Sequence, residues 1–200
     1  EARLVLLTLA HRSHHNMEYS TACLKAELLP TSTGPNLDNL APLVGVERLE
    51  AGKATAVIRF TLSAPRTSAT GIPEGTQVRT ADKRYFKTEK YAEILPGELT
   101  VDVVAVADEA GSNSDGIAEG EINVLVDPIP YVSGAKSVSA STGGTDTEGD
   151  DSFTRRINYA PSIFSVAGPV DAYEYFASSW RSDVADTKIV CKEGYTIHIY

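Results

Sequence analysis

Two stretches of the chain alternate apolar and polar side chains at every second position, and a β-strand is the backbone that gives that period one buried face. In "ATAVIRFTL", Ala56, Ile58, Phe60 and Leu62 share one face, while Thr55, Val57, Arg59 and Thr61 share the other. "ELTVDVVAVAD" repeats the pattern from Glu98 to about Ala107. Shorter runs, among them "RYFKTEK", "INVLV" and "AKSVSAS", are divided by turn formers such as Pro73-Glu74-Gly75. Short strands with frequent turns predict an antiparallel β domain over residues 50–141, sandwich-like or a small barrel.

On either side the period lengthens to that of a helix. Glu1 to about Leu29 holds no Gly or Pro, and Leu4, Leu7, Met17, Leu24 and Leu28 fall roughly on one side. "PNLDNLAPLVGV" predicts a short helix with Asn36 as N-cap and Gly45 at its end. Beyond Ser141, "DDSFTRRINYA" predicts a helix broken by Pro161, and "GPVDAYEYFASSW" a second one opened by Pro169. "DTKIVCKEGYTIHIY" predicts two strands joined through Glu193-Gly194. The fold class expected is α+β. It has an N-terminal helical region (1–49), the β domain (50–141), and an incomplete third region (142–200) of helices followed by a β-hairpin. Because Glu1 is not a methionine, residues are expected upstream.

Charge excludes some partners. With 18 basic against 27 acidic residues the net charge is −9, the wrong sign for nucleic acid or anionic lipid. "LVLLTLA" is far shorter than the ~20 residues that span a bilayer, so no membrane insertion is expected. Cys23 and Cys191 are distant, form no C-x-x-C pair, and are expected to be reduced.

The acids of "DTEGDD", Asp146 to Asp151, invite a calcium-loop reading. The loop would need Gly where Asp151 stands and Glu where Ile157 stands, so it fails. Asp150 or Asp151 is instead expected to cap the following helix, with Glu148 an exposed charge that favours the helix dipole. Arg155 and Arg156, one turn on, lie within reach of these acids. Val170, Tyr173, Phe176, Ala177 and Trp180 fall on one helical face. Such a stripe is core or subunit interface, and Tyr173, Phe176 and Trp180 are the interface candidates.

Catalytic and cofactor patterns fail. His11, His14 and His15 sit at i, i+3 and i+4 and are the only metal candidates, but H-E-x-x-H is absent and no carboxylate or cysteine is placed to complete a shell. "EAGKAT" has Gly52-Lys53, but Glu47 stands where a P-loop requires Gly. Neither G-x-G-x-x-G nor G-x-S-x-G occurs. No catalytic residue, metal or cofactor is expected.

"GGTDTEGDDSFTRRINYAPSIFSVAGPVDAYEYFASSW", with Gly143-Gly144, the acids at 146–151, Arg155, Arg156, Phe164–Pro169 and Ala172–Ala177, resembles the signature of the baseplate J-like proteins of contractile phage tails. Phe176 stands where that family has Trp. "TGPNLDNLAPLVGVERL", "IPEGTQV" and "EAGSNSDGIAEGEINVLVDPIPYV" are also similar to it, so the likeness runs over about residues 30–187. The resemblance implies a structural, non-enzymatic wedge subunit in a virion tail baseplate. It would join other wedge and hub proteins, and copies of itself, in a ring assembled in the host cytoplasm. No catalytic residues come with it. The alternative is a β module that binds a glycan or host surface through the long polar loop at 108–120, although that loop holds no aromatic residue.

Overall fold

The structure, a computed structural model, describes residues 2–164, 169–192 and 196–199. It divides into two compact units, one built from residues 50–147 and the other from 1–49 together with 148–200.

The first unit contains β1 (Thr55–Leu62), β2 (Thr70–Ile72), β3 (Gln77–Arg79), β4 (Tyr85–Thr88), β5 (Ala92–Ile94), β6 (Thr100–Ala107), β7 (Val124–Leu125) and β8 (Val132–Ser137). Six strands form one antiparallel sheet in the order β7-β3-β4-β6-β1-β8, and β2 pairs with β5 in a separate ribbon. The central pairing runs from Thr55 opposite Val106 to Thr61 opposite Thr100. The expected inner face of β1 is buried: Ala56, Ile58, Phe60 and Leu62 are all shielded, and the first three share one core with Val78, Phe86, Val103, Ala105 and Ala107.

Of the two architectures expected, sandwich-like or a small barrel, the structure corrects the first and has the second, a nearly closed barrel. The amides of Gly120 and Ser137 donate to Ser137 and Ile122 carbonyls respectively, so the chain leading into β7 reaches the far edge strand β8. One sheet thus curls until its two edges meet, which removes the exposed edges that an open sheet must protect.

The second unit contains α1 (Ala2–Ala26), α2 (Pro35–Leu40), a 3₁₀ turn (Ala41–Val44), α3 (Asp150–Tyr159), a 3₁₀ segment (Ala160–Phe164), α4 (Val170–Ser178) and the antiparallel hairpin β9 (Ile189–Lys192) and β10 (Thr196–Ile199). Its core gathers Leu37, Ala41 and Val46 from the first piece of chain and Phe153, Ile157 and Ala160 from the second. The N-cap of α2 is Gly34 at φ 52°, not Asn36, because Pro35 takes the first helical position where its missing N–H costs nothing. Gly45 ends the following turn in the left-handed conformation, at φ 72°. The expected turn at Glu193-Gly194 and the Ser165–Gly168 part of the "FSVAGP" motif lie outside the described residues.

Candidate functional site

The acidic run is not one site. Each of its acids holds a different segment. Glu148 is the deepest, with its side chain 0% exposed and its carboxylate gripped by a bidentate Arg156 (Nε to Oε1 3.0 Å, Nη2 to Oε2 2.7 Å). Arg156 also donates to the Glu47 carbonyl. The Leu49 amide donates to Glu148 Oε2 at 3.1 Å, and the Glu148 amide returns a bond to the Leu49 carbonyl at 3.0 Å. Every exposed-charge expectation for Glu148 is therefore overturned. Burying two charges is costly unless the geometry satisfies both, and here both are satisfied by paired bonds and main-chain partners.

Around that pair lies a second, more open layer. Arg48 donates to Asp38 (2.7 Å) and to the Glu148 carbonyl (2.7 Å), and its Nη2 lies 2.8 Å from Asp150 Oδ1. Its guanidinium stacks on Phe153, 4.6 Å from the ring centre. Asp150 accepts the Gly34 amide at 2.9 Å. That bond, and then Arg48, hold its carboxyl below the ordinary aspartate range. The expected cap is also corrected. The N-cap of α3 is Gly149, and neither Asp150 nor Asp151 makes a side-chain capping bond. Asp150 is drawn away to Gly34 and Arg48 instead.

In the barrel unit, Asp146 accepts from the Ser112 amide (2.8 Å) and hydroxyl (2.7 Å), and these bonds, the amide first, lower its pKa. The Gly144 amide donates to Asp115, and the Ser141 hydroxyl accepts from Ile117 and donates to the Ser114 carbonyl. The long polar loop at 108–120 is thereby sewn to residues 141–146. The Gly-Gly pair has a steric reason. Gly143 sits at φ 95°, and a Cβ on Gly144 would lie 2.7 Å from the Gly111 carbonyl oxygen.

The aromatic stripe on α4 points otherwise than a core stripe would. Ala172 is buried and Tyr175 packs against the core of its unit, while Tyr173 is half-buried and Phe176 and Trp180 stand 60% and 79% exposed. Phe164 is 83% exposed. Glu174 hydrogen-bonds Tyr159 and raises the pKa of its phenol. His11, His14 and His15 lie on α1, where every residue from Ala2 to Lys25 is exposed. His14 Nε2 comes within 3.2 Å of Glu18, a carboxylate that the sequence search passed over. Among the described residues no group of three His, Cys, Asp or Glu side chains could hold a metal ion. Cys23 is a free, exposed thiol. No helix among the described residues is long and apolar enough to cross a membrane.

Residues 57–144 match the family model of the baseplate J-like protein barrel domain. The barrel unit belongs to the baseplate J-like family. A chain of the anti-feeding prophage baseplate, solved by cryo-EM with six-fold symmetrisation, has a similar fold, with a TM-score of 0.52 at 12% identity. The alignment covers 87% of the present chain and 51% of that chain, so the present chain spans about half the length of its structural relative. The comparison with curated proteins found no match.

Sequence reasoning placed Arg156 within reach of the acids, but missed Arg48 and the burial of the Glu148–Arg156 pair. One signal was present: Arg156 falls on the same face of α3 as Phe153 and Ile157, and an arginine on a buried stripe needs a buried partner.

Proposed function

We propose that this chain is a structural subunit of a phage-type contractile tail baseplate, acting in the wedge. In this role it joins other wedge and hub proteins, and copies of itself, around the central hub, and it is assembled in the cytoplasm of the bacterial host. The observation that carries the reading is the baseplate J-like barrel over residues 57–144. The fold likeness to a chain of a six-fold symmetrised baseplate is consistent with a ring. No catalytic role is part of the proposal.

Exposed apolar surface supports association. Phe164, Phe176 and Trp180 form one set, and Leu4, Val5, Leu6, Leu7 and Leu9 of α1 another, all more than half exposed. Where such side chains join into one patch, that patch marks a binding face more often than a solvated one. We take Phe176 and Trp180, with Tyr173 beside them, as interface residues. The test is co-expression with the products of adjacent tail genes, followed by affinity purification and size-exclusion chromatography. Co-elution with a tail protein is expected, and Trp180→Ala should reduce it while leaving the circular dichroism spectrum unchanged. A chain that stays monomeric and captures no tail protein ends the proposal.

A further inference from the structure

Tyr131 is one of two residues other than glycine with positive φ among the described residues, at 72°. For a bulky side chain this conformation is strained, and such strain persists only where the surroundings impose it. Here they do. The Tyr131 carbonyl accepts from the Ser63 amide at 3.0 Å and from its hydroxyl at 3.4 Å. The ring lies over the Arg66 guanidinium, 3.7 Å from its centre. Arg66 is itself fixed, with Nη1 donating to Thr70 at 3.0 Å and its carbonyl accepting from Gly97. Yet this held ring is 60% exposed, and Leu95 and Leu99 at the same end of the barrel are 54% and 43% exposed. Among the described residues Arg66 has no carboxylate in ion-pair reach, although the chain carries 27 acids. Tyrosine and arginine are among the side chains enriched where proteins meet.

The other end of the barrel carries a hollow of about 250 Å³ between the Asp82–Tyr85 turn and residues 108–114. It is below the ~300–1,000 Å³ of pockets that hold drug-sized ligands, and suits a side chain or two better. Its titratable groups are Asp82, Lys83, Arg84, Tyr85, Asp108 and Glu109. Asp108 is taken by Lys87 at 2.6 Å, and Arg84 approaches Asp82 only to 4.0 Å. Glu109 is exposed, with no ion-pair partner among the described residues. The knob and the hollow sit at opposite ends of β6, since Leu99 precedes Thr100 and Asp108 follows Ala107. That separates them by about 25 Å.

A patch at one end of a domain and its complement at the other cannot meet within one molecule. Between copies they make a head-to-tail contact, which repeats into a ring when the rotation closes. We propose that the Arg66–Tyr131 knob of one copy enters the hollow of the next, with the guanidinium on the carboxylate of Glu109. This rests on the self-association reading above and names its surfaces.

Sedimentation velocity of the full chain over a concentration series tests it. Wild type is expected to self-associate, and Arg66→Glu and Glu109→Arg each to weaken that about tenfold or more by placing like charges together. The double variant Arg66→Glu/Glu109→Arg should restore it, because the pair is merely exchanged. Should either reversal disturb the circular dichroism melt, Arg66→Gln and Glu109→Gln are compared instead, each again expected to weaken association. A self-associating wild type whose single variants match it overturns this contact and leaves the baseplate reading standing. A wild type that is monomeric throughout overturns the contact and self-association together, while co-purification with tail proteins still judges the wider role.

Discussion

Phe86 in the barrel and Phe153 in the helical unit are both 0% exposed, but their surroundings differ. Phe86 lies among Ile58, Phe60, Val78 and other apolar side chains of one cluster. Phe153 has the guanidiniums of Arg48 and Arg156 over its ring, at 4.6 and 5.4 Å. Among the described residues the barrel core contains thirteen buried apolar residues and the helical core six. The barrel draws its core from strands that follow one another closely, so alternation alone brings the apolar faces together. The helical unit must join segments about a hundred residues apart, with a core too small to choose their register. Directional bonds make the choice there: Glu148 to Arg156 and Leu49, and Asp150 to Gly34 and Arg48.

If that contrast is right, Glu148→Ala should be the costliest single change in the helical unit. It strands the Arg156 charge in the interior, a loss of about 3–5 kcal/mol. In urea, the helical circular dichroism signal should fall at a lower midpoint while the β signal keeps its own. An equal shift of both signals breaks the contrast. The barrel should stand alone as residues 50–147, melting cooperatively. Ending it at 141 removes the strand-like pairing of Gly52 with Thr145 and of Thr55 with Thr142, four backbone hydrogen bonds in all. At about 1 kcal/mol each, that fragment should be ~4 kcal/mol less stable. An unfolded 50–147 fragment would show instead that the barrel leans on the helical unit.

Gly144→Ala sharpens the comparison from the barrel side. The added methyl meets the Gly111 carbonyl oxygen at 2.7 Å and the Asp115 Cβ at 3.0 Å, so backbone must move. Overpacking of this kind costs about 1–3 kcal/mol, and faster amide exchange should follow at Ser112 and Ile117, the amides that this segment holds. The smallest effect is expected at Asp151. It stands in the first turn of α3 without a capping bond, so Asp151→Ala removes only its favourable dipole interaction, about 0.3–1 kcal/mol. A thermal shift as large as that of Glu148→Ala would mean that the acids act as one group after all.

The same physics explains what could be read in advance. The inner face of β1 was legible because each of its residues repeats the same message, and all four expected positions are buried. β2 and β5 were not, since three residues are too few to display a period. The curl from sandwich to barrel depends on Gly120 and Ile122 reaching Ser137, a long-range pairing with no local mark. Glu148 looked like any solvated acid because two of its partners, Arg48 and Leu49, lie about a hundred residues back along the chain. On α4 the apolar stripe was real, but periodicity does not say which stripe turns inward when a helix is apolar on two sides. Tyr175, off the expected stripe, is the ring that packs on the core.

The hydrogen bonds between Leu49 and Glu148 tie the chain together at the point where it leaves the helical unit and at the point where it returns. The ninety-eight residues from 50 to 147 are, in effect, a detour that starts and finishes at one address. A detour of that form is replaceable. Any other domain whose termini lie a hydrogen bond apart could be spliced between Leu49 and Glu148, and the clasp would see the same two neighbours. The lineage of such a chain could therefore change its barrel without redesigning the base that carries it, and an engineer could do the same.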